Sequence, residues 1–157
     1  AMNGKRVLVV DCDMRHPSIH QIYELSNVYG LSSLLLGECD LTKVVQKTGI
    51  ENLEMISAGP TTTRPPELLS SPAMSVLISQ LRDRYDCILL DSTPMVHLSD
   101  GAVLAGYAEG VLVVVSSDRT RYQELNHALR TLEQVGVPIL GMVYNRSAET
   151  PEIEWRG

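Results

Sequence analysis

A chain of 157 residues with 44% hydrophobic content suits one domain with its own buried core. Thirteen Lys and Arg against nineteen Asp and Glu leave a net charge of −6 and no basic block, which excludes a nucleic-acid surface built on phosphate contacts. No apolar run approaches the roughly 20 residues of a membrane-spanning helix. Ala1-Met2 reads as a cloning remnant followed by a start Met. Arg6–Val10 (RVLVV) is an apolar run ending in Asp11, the pattern of a strand buried on both faces. Leu53–Ser57 is a second such segment, and Gly59–Pro66 (GPTTTRPP) reads as the longest loop. Ser71-Pro72 then signals a helix start, with Ser as N-cap and Pro at the first helical position. Met74, Leu77, Ile78 and Leu81 continue it at helical spacing. Cys87–Leu90 and Val111–Val115 are further buried-strand runs. Leu125, Leu129, Leu132 and Val135 form a second helical stripe, stopped by Gly136 with Pro138 beyond, before a last strand at Ile139–Tyr144. Buried strands alternating with amphipathic helices predict an α/β domain over residues 1–157 with a mostly parallel sheet. Cys12, Cys39 and Cys87 are odd in number and lack C-x-x-C spacing, so they read as reduced thiols of a cytosolic protein.

In open parallel sheets, ligands bind beyond the carboxyl ends of the strands. Two strands end in reactive side chains: one in Asp11-Cys12-Asp13-Met14-Arg15-His16-Pro17, the other in Asp91-Ser92-Thr93-Pro94. Three carboxylates and an Arg at one edge suit a hydrated Mg²⁺ and a phosphate, since a hard cation takes oxygen ligands and Arg offers a planar fork. The plainer reading is that an Asp after a strand caps the next helix. Three of them at two strand ends favour a site.

VLVVDCDMRHP resembles the second Walker motif, called A′, of the bacterial protein-tyrosine kinases that control capsule, exopolysaccharide and lipopolysaccharide synthesis. ILLDSTP resembles their Walker B motif. Gly30-Leu31-Ser32 with Leu35 and Gly37, Gly59-Pro60 with Pro66–Leu69, Ser99-Asp100, and Gly141–Asn145 follow the family's pattern in order. The resemblance covers nearly the whole chain. It implies a three-layer P-loop-NTPase-like fold of the deviant-Walker, MinD-like kind. It also implies that Asp11 and Asp13 are the catalytic A′ acids around Mg²⁺ and the transferred phosphoryl group. Asp91, with Asp11, would then hold the metal, Arg15 would anchor the phosphate edge, and Asn145 would touch the adenine base. The implied reaction moves the ATP γ-phosphoryl to tyrosine hydroxyls, a chemistry of positioning and charge neutralisation. The implied setting is cytoplasmic, at the inner face of the plasma membrane, beside a membrane-anchored polysaccharide co-polymerase or activator segment.

The chain also departs from the family. It contains no G-x-x-x-x-G-K-[ST], and its lone Gly4-Lys5 matches the G-K-R that leads into the A′ strand after the P-loop helix. The fold is therefore expected to lack the P-loop strand and helix, leaving exposed apolar strands, a rearranged sheet or a homo-oligomer formed by strand exchange. The chain by itself is expected to bind ATP poorly, to turn none over and to hold no cofactor of its own. The family's tyrosine cluster at the C-terminus is absent from Pro151–Gly157. Two alternatives stay open. One is a degenerate, non-catalytic regulatory domain of a polysaccharide assembly complex. The other is a response-regulator receiver domain, with Asp91 accepting phosphate; against it stand the 80 positions from Asp11 to Asp91 and the want of a Lys-Pro after the last strand. His16, His20, His97 and His127 lack metal-ligand spacing beyond one i, i+4 pair.

Overall fold

The computed structural model describes residues 1–95 and 99–147. His97 and the C-terminal Pro151–Gly157 lie outside the described residues. Two compact units divide the chain, Ala1–Tyr107 and Ala108–Gly157.

In the first unit, β1 (Val7–Asp11) lies at the centre of the sheet between β3 (Leu53–Ile56) and β4 (Cys87–Asp91), parallel to both. A short antiparallel strand, β2 (Val45–Lys47), closes the outer edge on β3, giving the order β2-β3-β1-β4. Leu8 and Val10 of β1 are fully buried. They join a core supplied by α2 (Leu31–Leu35), α4 (Pro65–Leu69), α5 (Pro72–Arg82) and α6 (Asp100–Ala105). The four predicted stripe residues of α5, Met74, Leu77, Ile78 and Leu81, are all buried there. The Ser71 side chain accepts the Met74 N–H at the helix start, and Pro72 occupies the first turn where its missing N–H costs nothing. The predicted loop ends sooner than expected, because Pro65 and Pro66 open α4. Two further one-turn helices, α1 (Ile19–Ile22) and α3 (Leu41–Val44), complete the unit.

Gly30 and Gly59 hold the carboxyl end of β3 in place. A Cβ on Gly30 would lie 2.2 Å from the Ser57 carbonyl oxygen and 2.3 Å from the Gly59 nitrogen. The Asn27 amide donates to the Gly59 carbonyl and accepts the Gly59 N–H, at 3.0 and 2.7 Å. The Ser57 hydroxyl bonds the Ser26 and Tyr29 carbonyls. These bonds latch the 26–32 segment onto residues 57–60.

In the second unit, β5 (Val111–Ser116) and β6 (Ile139–Asn145) form a parallel pair, connected by α7 (Tyr122–Val135). Gly136 ends α7 in the left-handed region at φ 77°, as its place after the stripe predicted. Leu132 of the stripe is buried with Ala128, whereas Val135 is exposed.

The expectation of burial on both faces holds for β1 and fails for the other long runs. Leu89 of β4 is 49% exposed, and Leu112, Val114, Leu140 and Met142 of the second unit are at least as open. Among the described residues β4 pairs only with β1, and β5 only with β6. A continuous apolar run is covered on both faces only where neighbouring strands and layers exist to cover it.

Candidate functional site

The predicted acids converge at the carboxyl end of the first unit's sheet. Asp11 and Asp91 are register partners on adjacent parallel strands, so their side chains leave the sheet on the same face. The Cys12 N–H donates to the Asp91 carbonyl at 3.0 Å and carries the ladder one step past β1.

Asp11 is fully buried and organises the segment that follows it. Its Oδ1 accepts the Asp13 N–H at 3.1 Å, and its Oδ2 accepts those of Ser18 and Ile19 at 3.3 Å each. Capping and site formation are therefore not alternatives here, because Asp11 caps the start of α1 from within the acid edge. Burial pushes the Asp11 carboxyl above its usual range against those three bonds, and the charge of Asp13 adds to the rise. Asp13 folds its own turn, its Oδ1 accepting the N–H groups of Arg15 and His16 at 3.0 and 2.9 Å. Asp91 is open to solvent as a residue and its carboxyl accepts no hydrogen bond among the described residues. Surrounding protein still desolvates that carboxyl and pushes it up, and Asp11 and Asp13 repel it further. Between the acids, Cys12 is buried, and desolvation raises its thiol well above the ordinary value. It is a packing residue rather than a nucleophile.

Arg15 does not present its fork to the acid edge. Its Nε and Nη2 donate to the two carboxylate oxygens of Asp100 at 3.0 and 3.4 Å. Asp100 is completely buried, while the Arg15 side chain keeps 29% of its surface exposed. Asp100 stood in the sequence only as part of Ser99-Asp100, and nothing in its local spacing announced a partner 85 positions away. Thr93, just beyond Asp91, is buried and its hydroxyl has no partner among the described residues. Asn145 belongs to the second unit, at the end of β6 opposite Ser116, and its side-chain oxygen accepts the Arg146 N–H at 2.8 Å.

Among the described residues no three His, Cys, Asp or Glu side chains form a protein-only metal cage. Mg²⁺ does not require one, because it keeps several waters and takes one or two carboxylates beside phosphate oxygens. Among the described residues the Asp91 carboxyl and the second oxygen of Asp13 accept no protein hydrogen bond, and no basic side chain relieves the repulsion raising Asp91. That donor set fits a hydrated Mg²⁺.

A family model described as an AAA domain matches residues 1–139. The putative tyrosine-protein kinase CapB of Staphylococcus aureus is 32% identical over 146 residues, which are 93% of this chain and 64% of CapB. The crystal structure of the chimerical protein CapA2B2 is similar with a TM-score of 0.90 and 32% identity, over 94% of this chain and 66% of that one. The kinase domain of the Escherichia coli tyrosine kinase Etk follows at 0.86 and 30%, over 99% and 63%. The septum site-determining protein MinD of Pyrococcus horikoshii, complexed with Mg-ADP, shares the fold alone, at 22% identity, a TM-score of 0.73 and 94% and 60% coverage. The chain spans just under two thirds of CapB. Identity with several tyrosine kinases across more than nine tenths of the chain, with the Asp11-x-Asp13 and Asp91 strand ends meeting at one sheet edge, places this chain in the AAA-domain family, among the bacterial tyrosine-protein kinases.

Proposed function

We propose that the chain is the A′ and Walker B portion of a protein-tyrosine kinase acting in capsule, exopolysaccharide or lipopolysaccharide assembly. The observation that carries this is the level pairing of Asp11 and Asp91 on adjacent strands, with the charges of Asp11 and Asp13 both raising the Asp91 carboxyl. Asp91, aided by Asp13, is the residue set to hold Mg²⁺, mostly through water. A bound Mg²⁺ supplies charge neutralisation at the phosphates. Asp11 shapes the loop and places Asp13, whose carboxylate is set to receive the proton of an acceptor tyrosine. Asn145 is the candidate for the adenine base. A membrane-anchored activator or co-polymerase segment is the partner the family resemblance suggests, at the cytoplasmic face. Among the described residues no helix is long and apolar enough to cross a membrane.

With no G-x-x-x-x-G-K-[ST] in these residues, the chain by itself has no backbone cradle or Lys for the β- and γ-phosphates. Calorimetric titration is expected to find no micromolar ATP affinity. Mn²⁺, used as a paramagnetic substitute, is expected to broaden the amide signals of Asp11, Asp13 and Asp91 first. Broadening that starts elsewhere, or that survives Asp91→Asn unchanged, overturns the assignment of the acid edge. Joining the chain to a relative's upstream strand, P-loop and helix is expected to restore tyrosine phosphorylation that Asp11→Asn abolishes.

A further inference from the structure

The ion pair between Arg15 and Asp100 joins two segments that both border the acid edge. Arg15 sits in the loop that follows β1, two residues after Asp13. Asp100 opens α6, nine residues after Asp91. The pair is two-pronged, and its carboxylate is wholly enclosed while the guanidinium is partly open. An enclosed carboxylate demands a partner, and the Nε–Nη2 edge of an Arg satisfies both oxygens at once. Arg15 is thus held by its partner's burial. Its own N–H is in turn bonded to Asp13 Oδ1, so the side chain that Asp100 grips belongs to the residue that orients Asp13.

We infer that Asp100 is a positioning residue of the acid edge: through Arg15 it fixes the loop that carries Asp13, and so sets where that carboxylate stands relative to Asp91. This rests on the reading of the edge as a cation site, but it assigns Arg15 a different job from the direct phosphate contact that the resemblance implies. Giving its fork to a phosphate would strip Asp100 of its only hydrogen-bond donors in the described structure. The Nη1 group, which has no hydrogen bond among the described residues, is the part of Arg15 left for an anion.

The test uses the whole chain with Mn²⁺ alone as probe, read by paramagnetic broadening and by electron paramagnetic resonance, with thermal melting to follow folding. Arg15→Lys keeps every charge and removes only the two-pronged edge. Arg15→Gln removes a positive charge, which by charge count alone would tighten Mn²⁺. A positioning role predicts that both weaken Mn²⁺ binding, by about tenfold, as for other residues that orient metal ligands. Asp100→Glu, which preserves the pairing chemistry, should recover part of the loss. Wild-type affinity in Arg15→Lys, or tighter binding in Arg15→Gln, overturns the inference. If Mn²⁺ never reaches the edge in the unsubstituted chain, the functional reading falls, and hydrogen exchange at the Arg15 and His16 amides decides this one. Faster exchange of both in Arg15→Lys at an unchanged melting temperature upholds the positioning role, and unchanged exchange overturns it.

Discussion

Asp11 and Asp91 stand level on neighbouring strands, yet replacing each by Asn is expected to move stability in opposite directions. Asp11 accepts three backbone N–H groups on its two oxygens. Asn has one acceptor oxygen, so its amide NH₂ must face at least one of those donors and leave it unsatisfied. An unsatisfied buried donor costs about 1–3 kcal/mol, and relief of the desolvated charge returns part of it. The net expectation for Asp11→Asn is a loss of about 1–2 kcal/mol, or roughly 3–6 °C in melting temperature for a chain of this size. Among the described residues Asp91 makes no side-chain hydrogen bond, and its carboxyl is held above the usual range by desolvation and by Asp11 and Asp13. Its charge therefore opposes folding at pH 7, and Asp91→Asn should raise the melting temperature. The sign is checked by pH. Between the ordinary carboxylate value and the raised one, the folded state binds more protons, so wild-type stability falls as pH rises through that window. The advantage of Asp91→Asn should accordingly be present at pH 7 and vanish at pH 3. Melting followed by circular dichroism at both pH values measures it. Destabilisation by Asp91→Asn at pH 7, or a gain that persists at pH 3, would refute the electrostatic account of the edge. A gain would also show that the acid pair is kept at a cost in stability, as sites held for a cation are.

Two further expectations test the frame around the site. Gly30→Ala forces a methyl into the backbone of Ser57 and Gly59, which cannot step aside as a side chain would, and should cost about 3 kcal/mol or more in urea denaturation. A loss below 1 kcal/mol would mean the 26–32 latch yields freely. Thiol titration should label Cys87 rapidly, Cys39 more slowly, and Cys12 only after unfolding, because Cys12 is buried with its thiolate suppressed by desolvation and by Asp11 and Asp91. Fast loss of all three thiols in the folded chain would contradict the burial of the strand end.

Much of the architecture is written locally. The helical spacing of Met74, Leu77, Ile78 and Leu81, the Ser71-Pro72 start and the Gly136 stop each depend on neighbours within a turn or two, and each is realised. The elements that escaped, α1, α2, α3, α4, α6 and β2, are three to six residues long. So short a segment shows no period, and distant bonds hold this region, such as those from Asn27 and Ser57 across the 26–59 latch. Exposure of the β4, β5 and β6 runs was invisible in their own residues and was expected only from the want of a P-loop strand, because apolar residues state what a strand can bury and neighbouring strands decide whether it is buried.

The same division runs through the candidate site. By itself the sequence determined that carboxylates end two apolar strands, since a strand and the residue after it are read from a few consecutive positions. Parallel pairing then made those ends neighbours, as the α/β pattern demanded. Only the tertiary structure decided what each charged group touches. Asp11 is spent on backbone N–H groups, the Asp91 carboxyl accepts no hydrogen bond among the described residues, and Arg15 is turned to a buried carboxylate 85 positions away. Hydrogen bonds and ion pairs are decided within about 3 Å, a scale on which sequence distance carries no information until the chain has folded.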